Sequence, residues 1–135
     1  MVAKRSSQDP KWVELKKKVR KRDKSCRLMK ILSAKEMILL AKHAPRAQLM
    51  TCDTAHCFGV GPYPHMCYNI ENTVLLNRFS HECLDSFKSP VTGEKIEERE
   101  VELWWGRILG GGIYLKLKEE STSHKVKETI NESEA

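Results

Sequence analysis

Trp12, Leu15 and Val19 recur at helical spacing, with Lys16, Lys17, Arg20 and Lys21 on the opposite face. The pattern predicts a basic amphipathic helix over about 10–22. Asp9-Pro10 supplies its start, with Asp as N-cap and Pro at the first helical position. Ser33-Ala-Lys-Glu36 has capping-box spacing ahead of Met37-Ile-Leu-Leu40, so a second helix should run to about His43 and end at Ala44-Pro45. Residues 47–57 read as a strand, Gly59, Gly61, Pro62 and Pro64 mark an ordered loop, and Thr73-Val-Leu-Leu76 is a short apolar strand. A helix from Arg78 to Phe87 completes a strand–loop–strand–helix unit. After a turn at Ser89-Pro-Val-Thr-Gly93, a further helix over about 94–108 presents Ile96, Val101, Trp104 and Ile108 to the core. The Trp104-Trp105 pair should split between a buried anchor and a partly exposed neighbour. Gly110-Gly-Gly112 breaks this helix, a short Tyr114–Leu117 piece follows, and the polar residues beyond Glu119 read as disordered.

With 135 residues the chain is expected to hold one α+β domain over 10–118, between a flexible basic N-terminus, 1–9, and a polar tail, 119–135. No apolar run approaches the roughly 18 residues of a membrane span. No apolar stretch follows the basic N-terminus either, so no membrane association and an intracellular location are expected. Residues 1–30 carry 12 Lys/Arg against 3 Asp/Glu, whereas residues 31–118 are balanced at 10 against 10. A basic block on an otherwise neutral protein favours a polyanionic partner, because each neutralised phosphate releases counterions. Five cysteines, with no Cys-x-x-Cys pair, argue against both a disulfide framework and a zinc knuckle.

The candidate chemistry lies in Cys52-Asp-Thr-Ala-His-Cys57 and in Asn72 to Asp85. Phosphodiester hydrolysis needs an activated water and stabilisation of charge on the phosphorane and the leaving 3′ oxygen. An imidazole that titrates near 6.5 can take the proton from water, which makes His56 the candidate base. Asn72, on the next strand, can brace the backbone near His56. His81 and Asp85 are four residues apart on the predicted helix, so they share a face and can chelate one divalent ion. Asp53 is the candidate third ligand. Positions three apart on a regular strand face opposite ways, so Asp53 and His56 either take different roles or need a bulge to align.

These residues resemble the signature of the HNH endonucleases: Ala55-His56, then Asn72-Thr-Val-Leu-Leu76, then His81-Glu-Cys-Leu-Asp85. Trp12 to Cys26 is similar to the family's N-terminal helix, so the resemblance spans roughly residues 10–87. It implies a ββα-metal finger, a short antiparallel hairpin plus helix, surrounded by additional helices. It also implies His56 as base, Asn72 as brace, and His81 with Asp85 as metal ligands. Ala55 stands where many members carry a metal ligand, and Asp53, on the same strand face, is its natural substitute. Many members also carry four zinc-binding cysteines. Cys26, Met29, Asn77 and Ser80 occupy those positions here, so apolar contacts are expected to replace that metal.

The resemblance implies a metal-dependent DNA endonuclease of the kind common in phages and mobile elements, cutting one strand per active site. A double-strand break would need a homodimer or two encounters. One divalent ion per chain is expected, Mg²⁺ or Mn²⁺ ahead of Zn²⁺ or Ni²⁺. Lys16, Lys17, Arg20, Lys21, Arg22 and Arg78 are the expected DNA contacts. In a bacterial host a phage-encoded copy would act in the cytoplasm. Two rivals remain: a non-catalytic DNA-binding protein that keeps the scaffold, and a phage interaction module for a phage or host protein. An RNA substrate is a lesser variant of the first reading.

Overall fold

The computed structural model describes residues 9–134, with side chains described for 9–122. The expected flexible segment before Asp9 therefore lies outside the described residues. The chain is mixed α+β: a two-stranded antiparallel sheet with helices packed on both faces. Helix α1 spans Pro10–Asp23, and the Asp9 carboxylate caps it by accepting from the Lys11 amide at 3.0 Å. Helix α2, Arg27–Ile31, was not foreseen. Helix α3, Ala34–His43, opens with both bonds of the Ser33/Glu36 capping box in place.

The predicted strand over 47–57 is shorter than expected. Residues Arg46–Leu49 form a helical turn, α4, and β1 covers only Cys52–His56. Arg46, Ala47, Gln48 and Leu49 are all good helix formers, and β2, Thr73–Asn77, offers only five residues to pair with. The register runs from Cys52 opposite Asn77 to His56 opposite Thr73, unbroken by a bulge.

Pairing in this register assigns the two faces by alternation. Leu75 packs against Trp12, Leu15 and Val19 of α1. Ala55, Val74 and Leu76 face the main core with Leu84 of α5, Arg78–Asp85, and with Val101, Trp105 and Ile108 of α6, Glu98–Leu109. Trp105 is the buried member of the tryptophan pair, while Trp104 is half-buried beneath the Arg107 guanidinium at 4.5 Å.

Gly110, at φ 91, ends α6, but the next helix begins at once: α7 runs Gly111–Glu134. The expected tail from Glu119 is thereby corrected. Leu117 and Ser121 lie one turn apart and are both buried, and no Pro or Gly interrupts the chain after Gly112.

A buried carboxylate ties α1 to the sheet. Asp23 is 3% exposed and accepts from the Leu75 amide at 2.9 Å and from Arg22 Nε at 2.7 Å. The same Arg22 donates to the carbonyls of Ile70 and Thr73. Each partner satisfies groups that would be costly to bury alone.

Across the molecule, Arg107 of α6 donates to both Glu36 oxygens at 2.9 Å. That hydrogen bond first, and the Ser33 amide second, hold the Glu36 carboxyl at about 2, below its ordinary 4.5. Because the folded value is depressed, the contribution is complete above about pH 4.5 and is lost as pH falls toward 2. Glu36→Gln should therefore flatten the acid limb of a urea-denaturation series in this window. An unchanged acid limb would show that the ion pair does not couple folding to pH.

Candidate functional site

His56 closes β1 in a half-buried position. Its Nε2 lies 2.9 Å from the Cys67 carbonyl oxygen, and its ring stacks on Trp12 with centroids 5.3 Å apart and planes at 19°. A carbonyl only accepts, so in the neutral imidazole this contact places the proton on Nε2 and makes Nδ1 the basic nitrogen. Lys16, expected on the face opposite Trp12, instead lies one turn after it on the same face of α1 and sets its ammonium 5.7 Å from the Trp12 ring centre. Lys17, Arg20 and Lys21 are exposed on the same helix.

The loop between the strands is held by Asn72, which is fully buried. Its Oδ1 accepts from the Phe58 amide at 2.8 Å, and its Nδ2 donates to the carbonyls of Phe58 at 3.0 Å and Met66 at 3.2 Å. The Asn72 carbonyl also accepts from the Cys57 amide, at 2.9 Å. The side chain and carbonyl of Asn72 together fix the two residues after His56 and the residue just before Cys67. Phe58 in turn stacks on Tyr114 of α7, at 6.0 Å and 20°.

Asp53, His81 and Asp85 lie at the β1–α5 contact. His81 Nδ1 is 3.2 Å from Asp53 Oδ2, and His81 Nε2 is 3.3 Å from Asp85 Oδ2. Arg78 also grips Asp53, donating from Nη2 to Oδ1 at 3.0 Å and from Nε to Oδ2 at 3.3 Å. Burial pushes the Asp53 carboxyl up, but hydrogen bonds from Arg78 and His81 outweigh it and hold the group below its ordinary value. Asp85 is displaced upward by desolvation against the pull of His81. Its side chain is 59% exposed, so solvent screens that effect and it carries no weight in stability.

The predicted cage is not assembled as a unit. Asp53 and Asp85 flank opposite nitrogens of one imidazole, so one ion cannot take both carboxylates through the same ring nitrogen. Among the described residues, no group of three or more His, Cys, Asp or Glu side chains is arranged to hold a metal. Asp53 and His81 alone are placed so that they could share an ion, at the 3.2 Å that also makes them a hydrogen-bonded pair. Neighbouring ligands on a small cation, each about 2.1 Å from it, lie about 3 Å apart, which is the Asp53–His81 spacing. The Asp53 carboxylate suits Mg²⁺ or Mn²⁺, which keep several waters and lean on few protein ligands, whereas the His81 imidazole suits Zn²⁺ or Ni²⁺.

Because β1 pairs regularly, alternation places Asp53 and Ala55 on one face and His56 on the other. The candidate base and the candidate ligands therefore have different surroundings. Arg22, expected as a DNA contact, turns inward to Asp23 and the β2 backbone. Cys26, Asn77 and Ser80 converge in a polar node. Cys26 Sγ accepts from the Asn77 amide at 3.2 Å, Asn77 Nδ2 donates to Ser80 Oγ at 2.9 Å, and Ser80 Oγ donates to the Pro90 carbonyl at 2.7 Å. All five cysteines are free.

Two participants were missed by sequence reasoning. Trp12 reads only as part of the α1 apolar stripe, and a Cys67 backbone carbonyl leaves no trace in residue type.

Asn72→Ala leaves buried backbone groups at Phe58 and Met66 without their partner. The expected cost is about 2–4 kcal/mol in denaturant unfolding. Amide exchange at Phe58 should accelerate, and an unchanged midpoint and protection would contradict the bracing role.

No protein-family model, curated protein sequence or solved structure matches the chain, so its functional assignment rests on this geometry.

Proposed function

We propose that the chain is a metal-dependent DNA endonuclease built on a ββα-metal finger, hydrolysing phosphodiester bonds with His56 as general base. The observation that carries this reading is the Nε2–Cys67 carbonyl contact. It orients the ring and leaves Nδ1 as the nitrogen that takes the proton from an attacking water. Asn72 supports that arrangement by fixing Phe58 near the start of the loop and Met66 next to the residue whose carbonyl makes the contact. Trp12 stacks on the ring and limits its rotation.

Asp53 and His81 are the residues that would hold a divalent cation, with His81 oriented by Asp85 on its other nitrogen. When bound, such an ion supplies Lewis-acid stabilisation of the phosphorane and the departing 3′ oxygen. Lys16, Lys17, Arg20 and Lys21 provide sequence-independent phosphate contacts along α1, which packs beside the His56 face. One chain offers one such centre and would cut one strand per encounter.

The opposite orientation of Asp53 and His56 on β1 favours a second reading, a DNA-binding protein that retains the finger without cleaving. The two are separated with supercoiled plasmid and Mg²⁺ or Mn²⁺, beside an EDTA control. A nuclease nicks the plasmid, and His56→Ala should reduce the rate by about 10²–10⁴-fold while leaving DNA affinity intact. Metal-independent binding that weakens on charge reversal of Lys17 and Lys21, with no cutting under any ion, would select the non-catalytic reading.

A further inference from the structure

Arg78 occupies an unusual position for a cation. It is the first residue of α5, beside the positive end of the helix dipole, where a guanidinium is disfavoured unless an anion compensates it. Here the compensating anion is Asp53, which the arginine fork engages through both carboxylate oxygens, at 3.0 and 3.3 Å. Oδ2, one of the two oxygens so engaged, also faces His81 Nδ1 at 3.2 Å. The Arg78 side chain is 48% exposed, so it can leave this contact for solvent or a ligand without disturbing the core.

We propose that Arg78 is a built-in counter-ion of the Asp53–His81 pair, competing with a divalent cation for Asp53 and passing to a substrate phosphate when the cation binds. This inference rests on the metal-site reading above. Asp53 carries one negative charge, and a cation bound to its Oδ2 removes most of the attraction that holds the guanidinium. Freed at a helix N-terminus, Arg78 is then best satisfied by a phosphate, whose oxygens accept its fork in the same bidentate manner. Cation loading and substrate grip become linked through one side chain, and binding of either should favour the other.

Mn²⁺ titration of the full-length protein without DNA, followed by loss of the free-ion electron paramagnetic resonance signal, tests the competition. Arg78→Ala and the bulkier Arg78→Gln should bind Mn²⁺ about 1.5-fold to fivefold more tightly than the parent, in keeping with a partly exposed ion pair. Adding His81→Ala should abolish that binding. Lys42→Ala, which removes the same charge on α3, should leave Mn²⁺ affinity unchanged. Equal, His81-dependent affinities in the parent and the Arg78 variants would overturn the competition and leave the metal reading standing. No His81-dependent binding in any protein would overturn both. On DNA, the affinity lost through Arg78→Ala should be larger in Ca²⁺ than in EDTA, and an equal loss would overturn the hand-over to phosphate.

Discussion

The fully buried amide of Asn72 is the constraint on which the rest of the molecule's chemistry depends. The chain leaves β1 at His56 and returns at Thr73, and the intervening residues form no sheet of their own. A loop of this length closes at modest entropic cost but has many conformations to choose among. Asn72 selects one by hydrogen-bonding Phe58 in both directions and Met66 once. Inside a protein such bonds are strong, and the penalty for leaving any of them unmade is what makes the selection sharp. The Cys67 carbonyl then lies where only one tautomer of His56 can use it.

The sheet itself is too small to stand alone, since a two-stranded hairpin is marginal in water. It persists because both faces are covered. Helix α1 seals one face through Leu15 and Val19 and is latched by Asp23 to the Leu75 amide. Helices α5 and α6 seal the other through Leu84, Val101 and Trp105. The polar node at Cys26, Asn77 and Ser80 joins the start of α2 to the end of β2 and the start of α5. Charge at the candidate site is organised around one imidazole, with a carboxylate facing each nitrogen.

Much of the framework is legible because its signals are local. The Trp12, Leu15, Val19 stripe and the Ser33/Glu36 box specify α1 and α3 through spacing and capping chemistry alone. The placement of His81 four residues before Asp85 is equally local, whereas the pairing of β1 with β2 spans the long loop and was expected only from the family resemblance. What was not legible depends on direction or on backbone. Arg22 reads like its basic neighbours, yet Asp23 and the carbonyls of Ile70 and Thr73 draw it inward. Residues 47–49 yield to their helical preference, while the polar stretch after Glu119 joins a helix anchored by Leu117 and Ser121. The separation of Asp53 from His56 follows from strand alternation, but choosing between alternation and a bulge required the register.

The protonation state of the His56 ring is the property on which the proposed chemistry stands or falls. Long-range ¹H–¹⁵N correlation spectra of uniformly ¹⁵N-labelled protein, recorded at a pH where the ring is neutral, report which nitrogen carries the proton. The Cys67 carbonyl requires the Nε2–H tautomer with Nδ1 unprotonated. A ring protonated on Nδ1 would contradict that chemistry, because the nitrogen assigned to receive the water proton would already be occupied.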